Sequence, residues 1–440
     1  MLEYLKLENV GPTPHMEAEF APRVNLITGD NGLGKSFLLD TAWWALTGSW
    51  PAELNPRMTS GFPARPRDRK KASTIRFRVH FGDETVESNA GYLASTWTPR
   101  AWCGAQAILG VVVYAHADGS FSVWDSVRNH LQRLPPPRQP LPPVDPKRRP
   151  AYVFTETEVL DGLRVVMDGR TVPLCNGLLH DWSSWIKANE AQSKAMAQAL
   201  RALSPDWEGG DGLKPGPPMR LSIEDIEDAR DIPSIQTSYA DVVPIVHASS
   251  GIRRVVALAY VLTWAWSEHR IAADLRGEEV VQQVTMLFDE VESHLHPRWQ
   301  RSILKALREV GRELLDGAEL QVIASTHAPL VLASAEPWFD PKQDAWLDLD
   351  LDDDPPEARL RRRSYTLRGT PDAWLTSEAF DLATERGSIE AERAVLRARE
   401  LLRQTDASVD KVMEVHKELR RVLPDVDRFW VRWNAFVEDR

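Results

Sequence analysis

Cysteine is scarce: Cys103 and Cys175 are the only two in 440 residues. So small a number excludes a disulfide scaffold, and without metal-type spacing they offer no zinc site, which fits a reducing compartment. Positive charge is in deficit as well. With 53 Lys and Arg against 64 Asp and Glu, the formal charge is −11, so no global field draws the chain to nucleic acid, and any such contact needs a local patch. Long apolar runs are also missing. The longest, residues 255–266, contains Thr263 and stops after about a dozen residues, too short to cross a bilayer. Residues 1–7 alternate like a first strand and lack the charged-then-apolar order of a secretion signal. A soluble, cytoplasmic protein is expected. No fixed-period repeat and no sustained heptads occur, which excludes a long inserted coiled coil.

What remains is ordinary globular material, 43% apolar and 27% charged, long enough for two or three domains. The 17 tryptophans fall mostly on helical faces, where a core role is expected. Two basic clusters stand out, Arg65, Arg67, Arg69, Lys70 and Lys71, and Arg359, Arg361, Arg362 and Arg363. Solvated loops are the ordinary reading of such runs; nucleic-acid contact is the alternative for the first.

Four stretches of chain are expected. Residues 1–130 hold an α/β lobe with strand-like runs at 74–81, 107–115 and 120–124 that read as an antiparallel β portion. Residues 131–218 hold a proline-rich connection, a helical insertion from 156 to about 203, and a Gly/Pro loop. Residues 219–350 hold a second α/β lobe, and 351–440 a mainly helical region after an acidic break. The cluster from Asp348 to Asp354 is read as part of that solvated break. Near the end, Phe429, Trp430, Trp433 and Phe436 fall on one helical stripe. It is expected either to pack back on the remainder as core or to dock another chain.

The most informative run is Gly29-Asp30-Asn31-Gly32-Leu33-Gly34-Lys35-Ser36. It follows the buried-strand pattern of residues 24–28 and precedes the helical pattern of 37–46. Strand, glycine turn and helix N-terminus make a concavity of backbone N–H groups for phosphate oxygens. In it Lys35 reaches the β- and γ-phosphates, and the Ser36 hydroxyl is placed on Mg²⁺. The expected ligands are therefore ATP and Mg²⁺. Residues 284–288 read as an apolar strand ending in Asp289 and Glu290. Asp289 is assigned to the metal and Glu290 to the attacking water as general base, helix capping being the alternative use of two acids there. A third apolar strand, 321–325, leads to His327, which is placed to donate to the γ-phosphate or orient the water. Ser249, Ser250 and Gly251 open a long helix and form a second anion site. A phosphate held there would most simply come from a nucleotide on a second copy of the chain.

In this order the motifs resemble the ABC-type ATPase heads of the SMC, RecF and OLD-like group. Gly29–Ser36 matches Walker A, Ser249-Ser250-Gly251 the signature, and residues 287–290 Walker B. Residues 292–297 match the D-loop, and Ser325-Thr326-His327 the switch histidine. The resemblance implies a two-lobed α/β P-loop head with an antiparallel β portion, a helical insertion and a C-terminal helical element. It further implies that two copies sandwich two ATP molecules, each completed by the other's signature serine. Two departures stand: Ile252 replaces the usual Gln or Glu, leaving the signature contact weaker or dependent on Arg253, and no Q-loop glutamine can be placed, Gln106 being the nearest candidate and solvation the plain alternative for Gln132 and Gln139. Too few residues follow His327 for a Toprim nuclease.

Compact heads of this kind resemble the AAA family ATPases of bacterial anti-phage modules. An ATP-hydrolysing switch is therefore expected, one that closes as a homodimer or higher oligomer and controls a separate effector such as a nuclease. A RecF-like, DNA-binding role in repair is the alternative, and a transporter subunit the least favoured.

Overall fold

The computed structural model describes residues 1–81, 84–93, 95–99, 110–129, 151–167, 169–205, 212–221, 229–237, 240–315, 317–353, 356–404 and 407–438. Gln106, Gln132, Gln139, Cys103 and the proline-rich connection at 134–150 lie outside them.

A central eight-stranded sheet runs in the order Pro356–Arg363, Asp344–Asp353, Val24–Gly29, Glu319–Ser325, Gln283–Phe288, Val111–Ala115, Phe121–Asp125, Tyr152–Phe154. Pairing is parallel from Asp344–Asp353 through to Val111–Ala115 and antiparallel at both margins. Such strands are covered on both faces, which is why Gln283–Phe288 is buried at every position. The order places the strand leading to His327 between the strand leading to the phosphate loop and the strand leading to Asp289, so all three motifs emerge at one end.

A second, antiparallel sheet is ordered Thr13–Glu19, Leu2–Val10, Thr74–Phe81, Glu84–Leu93, Thr96–Pro99. Helix Lys35–Thr47 packs between the two sheets in a core that joins Leu2, Leu5 and Phe77 to Trp43, Ile27, Ile323 and Leu347. Trp43 is fully buried, and Trp44 stacks on Trp50 with ring centroids 5.6 Å apart. A helix apolar on every side is one enclosed on every side. The phosphate loop is thus anchored to the deepest part of the core.

Several sequence expectations are corrected. Residues 111–115 belong to the central sheet and pair in parallel with Gln283–Phe288, not to the outer antiparallel portion, because Val-Val-Val-Tyr-Ala is apolar on both faces. The insertion is not wholly helical. A hairpin, Leu163–Met167 with Arg170–Cys175, precedes helices Leu178–Ala188 and Ala191–Leu203. Asp348 is not in a solvated break but in the strand Asp344–Asp353. There Leu347 and Leu349 enter the core on one face, while Asp348, Asp350 and Asp352 pair on the other with Arg363, Arg361 and Arg359 of the next strand. The Asp-Leu-Asp-Leu-Asp alternation is a strand period, and the opposed arginines neutralise it. The same ladder removes the second basic cluster as a free patch; Arg362 donates to the carbonyls of Pro341 and Asp344.

The chain divides into compact units Met1–Leu367 and Arg368–Arg440, so the first unit extends past the boundary expected at 350. In the second unit, helices Ile389–Leu402, Val409–Val422 and Phe429–Glu438 enclose a core of Ala394, Val395, Val412, Leu419, Trp430 and Trp433. The aromatic stripe is the core of this unit itself. Trp433 donates to His416 Nδ1 at 3.2 Å and Trp430 to Pro424 O at 2.9 Å.

Candidate functional site

The loop Gly29–Ser36 turns from its strand into helix Lys35–Thr47 with no side chain capping the helix and no acid in its first turn. Its first amides therefore have no protein anion, which suits a bound phosphate. Gly29 has φ +130, and a Cβ there would meet Leu349 O at 2.1 Å, so glycine is required by the neighbouring strand as well as by the turn. Lys35 folds back to donate to Gly29 O at 2.6 Å and Asp30 O at 2.8 Å. Burial pushes its ammonium below the usual lysine range, opposed by Asp289, Asp30, Glu290 and Glu292. Asp30, Asn31, Gly32 and Ser36 are exposed at the mouth, and Leu33 and Gly34 are partly buried.

Asp289 is buried at the end of its strand. Its N–H donates to Ala115 O at 2.9 Å, and its Oδ1 accepts from Ser325 Oγ at 2.9 Å. Glu290 follows with φ +53, a left-handed conformation that is strained for a side chain of its size. Its N–H is held by Ser325 Oγ at 2.8 Å. His327 is half-buried, and its N–H donates to Glu292 Oε1 at 2.5 Å. Burial and then Lys35 lower the imidazole from its ordinary value, against Glu290, Asp289 and Asp30, so the neutral ring is favoured. Burial raises the Glu292 carboxyl, against bonds from His327 N–H and the Thr326 hydroxyl. Loop, strand-end carboxylates and histidine thus form one electrostatic cluster.

Among the described residues no group of three His, Cys, Asp or Glu side chains forms a metal nest. A divalent ion placed at Ser36 and Asp289 would need further oxygens from a bound ligand, as Mg²⁺ commonly does.

The signature lies apart from this cluster. Ser249 caps helix Ser250–Arg276, accepting from Ile252 N–H at 3.5 Å. Ser249, Ser250, Gly251 and Ile252 line a cavity of about 470 Å³ with His294 and His296, and no residue of Gly29–Ser36 lines it. A Cβ on Gly251 would meet His294 O at 2.6 Å; the signature glycine admits the backbone of residues 292–297.

Three participants carry no recognisable sequence signal for their roles. Ser325 bridges the Asp289 carboxylate and the backbone N–H of Glu290. Asp40, one turn beyond Ser36, accepts from Tyr114 Oη at 3.0 Å, and burial raises its carboxyl to about 7, against bonds from Tyr114 and the Gly61 N–H. Arg254 reaches the end of strand Val111–Ala115. Each depends on contacts between distant segments.

The first basic cluster is built rather than loose. Asn9, in the left-handed region at φ +56, donates to Asp68 O and Ser73 Oγ, both at 2.8 Å, and accepts from Asp68 N–H at 2.9 Å. Arg67 donates to Pro12 O, whereas Arg65, Arg69, Lys70 and Lys71 are exposed and make no ion pair among the described residues.

Two family models match the chain: one described as an AAA domain, putative AbiEii toxin, type IV TA system, over residues 205–333, and one described as an AAA domain, over residues 4–99. The second covers the phosphate loop; the first covers the signature, Asp289, Glu290 and His327. Among solved structures, an SMC head bound to the C-winged helix domain of ScpA is 15% identical with a TM-score of 0.40, covering 82% of this chain and 97% of that one. The SMC head domain from Thermotoga maritima is 12% identical with a TM-score of 0.39, over 82% and 99%. The recombination mediator RecF of the RecFOR pathway is 13% identical with a TM-score of 0.36, over 83% and 98%. The AAA-domain matches and the assembled motifs bear out the resemblance to an SMC/RecF-like ABC-type ATPase head.

Proposed function

We propose that this chain binds ATP and Mg²⁺ at Gly29–Ser36, hydrolyses the nucleotide, and closes as a homodimer when both sites are filled. The observation that carries the reading is the joint placement of Lys35, Asp289, Glu290 and His327 in one electrostatic cluster at the mouth of an uncapped helix. Ser36 and Asp289 hold the ion, which supplies charge neutralisation at the phosphates. Lys35 binds phosphate, Glu290 takes the proton of the attacking water, and neutral His327 orients that water or donates to the γ-phosphate. A signature cavity lined by no phosphate-loop residue supports completion of each site by the other copy's Ser249, Ser250 and Gly251.

The switch controls a separately encoded effector in anti-phage defence. The description of one matching model as a putative AbiEii toxin of a type IV TA system supports this setting. A second reading, a DNA-binding ATPase of the RecF kind, is favoured by one feature, the Asn9-pinned segment presenting Arg65, Arg69, Lys70 and Lys71 to solvent in a chain of net charge −11. Among the described residues no helix is long and apolar enough to cross a membrane.

The test compares Lys35→Ala and Glu290→Gln with the unaltered protein. Lys35→Ala abolishes nucleotide binding, because the phosphates lose their cation. Glu290→Gln keeps binding and stops turnover, and it traps whatever partner the closed state holds. Equal ATP affinity in Lys35→Ala and the unaltered protein overturns the assignment.

A further inference from the structure

The helix that begins at the signature sends one side chain back into the chemistry of its own chain. Arg254 lies one turn beyond Ser250, and its Nη2 donates to His116 O at 2.6 Å. The Phe121 ring lies 5.9 Å from the guanidinium carbon. Its Nη1 is buried without a hydrogen-bond partner. Four carboxylates lie within its electrostatic reach, those of Asp118, Asp289, Glu156 and Glu290. Asp118 accepts from Thr59 and Ser120, and among the described residues Arg254 makes no ion pair with it.

A buried guanidinium costs free energy unless something in its surroundings offsets the lost hydration. Here burial remains the larger influence and lowers the guanidinium from its ordinary value, and the field of the carboxylates and one backbone carbonyl offset part of that cost. That carbonyl is strategically placed. His116 directly follows Ala115, whose carbonyl accepts from the Asp289 N–H at 2.9 Å, and Gly119 N–H closes the turn onto His116 O at 3.3 Å. Ala117 O, in the same turn, accepts from Ser293 Oγ at 3.4 Å. The turn after strand Val111–Ala115 therefore touches Walker B, the D-loop and, through Arg254, the signature helix.

We propose that Arg254 is a positioning residue for hydrolysis: it ties the signature helix to the His116 turn and so holds Asp289 and Glu290 in their working placement, coupling signature engagement to turnover within the same chain. This rests on the ATPase reading of the site. Arg254 touches no substrate in this role; it acts through backbone placement and through positive charge beside the two acids. A guanidinium supplies both a directed N–H and a permanent charge. Lysine supplies the charge with a shorter, less directional head, and glutamine only a neutral donor.

The experiment uses the full chain as Arg254→Gln and Arg254→Lys, with steady-state ATPase kinetics, binding of a fluorescent ATP analogue, and melting temperature measured on each. Arg254→Gln is expected to lower kcat by about tenfold or more, the scale for loss of one preorganised electrostatic group, while analogue affinity stays within about threefold and Arg254→Lys recovers part of the rate. Unchanged kcat in Arg254→Gln, in a protein whose unaltered form turns over ATP, overturns the proposal alone. Parallel loss of affinity, rate and melting temperature in both variants makes Arg254 a packing residue and overturns it as well. Absence of turnover in the unaltered protein instead overturns the ATPase reading, and this inference with it.

Discussion

Ser325 donates to Asp289 across 2.9 Å from the neighbouring strand, and the same oxygen accepts from the N–H of Glu290 at 2.8 Å. One hydroxyl therefore fixes the rotamer of the carboxylate assigned to the metal and the backbone of the one assigned to water. Since Glu290 sits at φ +53, an unfavourable conformation, its placement depends on such a clamp.

Ser325→Ala is accordingly expected to leave ATP binding near its original strength and to lower kcat. An unsatisfied buried group costs about 1–3 kcal/mol, and if most of that falls on the transition state the rate drops by roughly 5- to 150-fold. Single-turnover kinetics beside equilibrium binding check this; an unchanged kcat would remove Ser325 from the mechanism.

The composite site makes a complementation prediction. Ser250→Arg blocks the signature and Lys35→Ala empties the phosphate loop, so neither pure variant turns over ATP. Mixed, they form heterodimers in which the loop of the Ser250→Arg chain faces the intact signature of the Lys35→Ala chain, and partial activity returns. No activity in a mixture shown to contain folded heterodimers counts against sites that work one at a time.

Asp40 predicts a stability change with pH. Its folded value is raised to about 7 by burial, above the ordinary carboxylate value near 3.9. Below the ordinary value both folded and unfolded forms are protonated, and nothing is lost. As pH rises from there toward 7 the unfolded form releases its proton first, so the wild-type protein loses stability over that window. Asp40→Asn, which keeps an acceptor for Tyr114, should melt higher than the unaltered protein at pH 8 and nearly equally at pH 4, where the loss has only begun. Thermal melts at the two pH values decide; a difference of the same size at both assigns the effect to packing.

In the C-terminal unit, Trp433 is fully buried between its helices. Trp433→Ala should cost about 3–5 kcal/mol and expose residues after Arg368 to limited proteolysis, with nucleotide binding by the first unit retained. Resistance equal to that of the unaltered protein would show that the ring is not what holds this unit together.

Much of the site was legible because its signals are local. A glycine turn between an apolar strand and a helix, acids at a strand end, and serines ahead of a long helix are written in consecutive residues, and each lies where its pattern places it. The ladder of Asp348, Asp350 and Asp352 is not legible from charge alone, because it depends on the alternation beneath it and on arginines seven to fifteen residues onward. The strand Val111–Ala115 was assigned to the wrong sheet because five apolar residues in a row fit either one.

By itself, then, the sequence determined where the glycine turn, the strand-end acids and the helix-opening serines stand, since backbone turn chemistry and strand-end placement act over a few residues. Tertiary structure alone decided how those groups are held. Ser325 on Asp289, Arg254 on the His116 turn, Asp40 on Tyr114 and Leu349 against Gly29 are contacts between segments whose proximity follows from sheet order, and sheet order is set by burial of whole faces rather than by any local pattern.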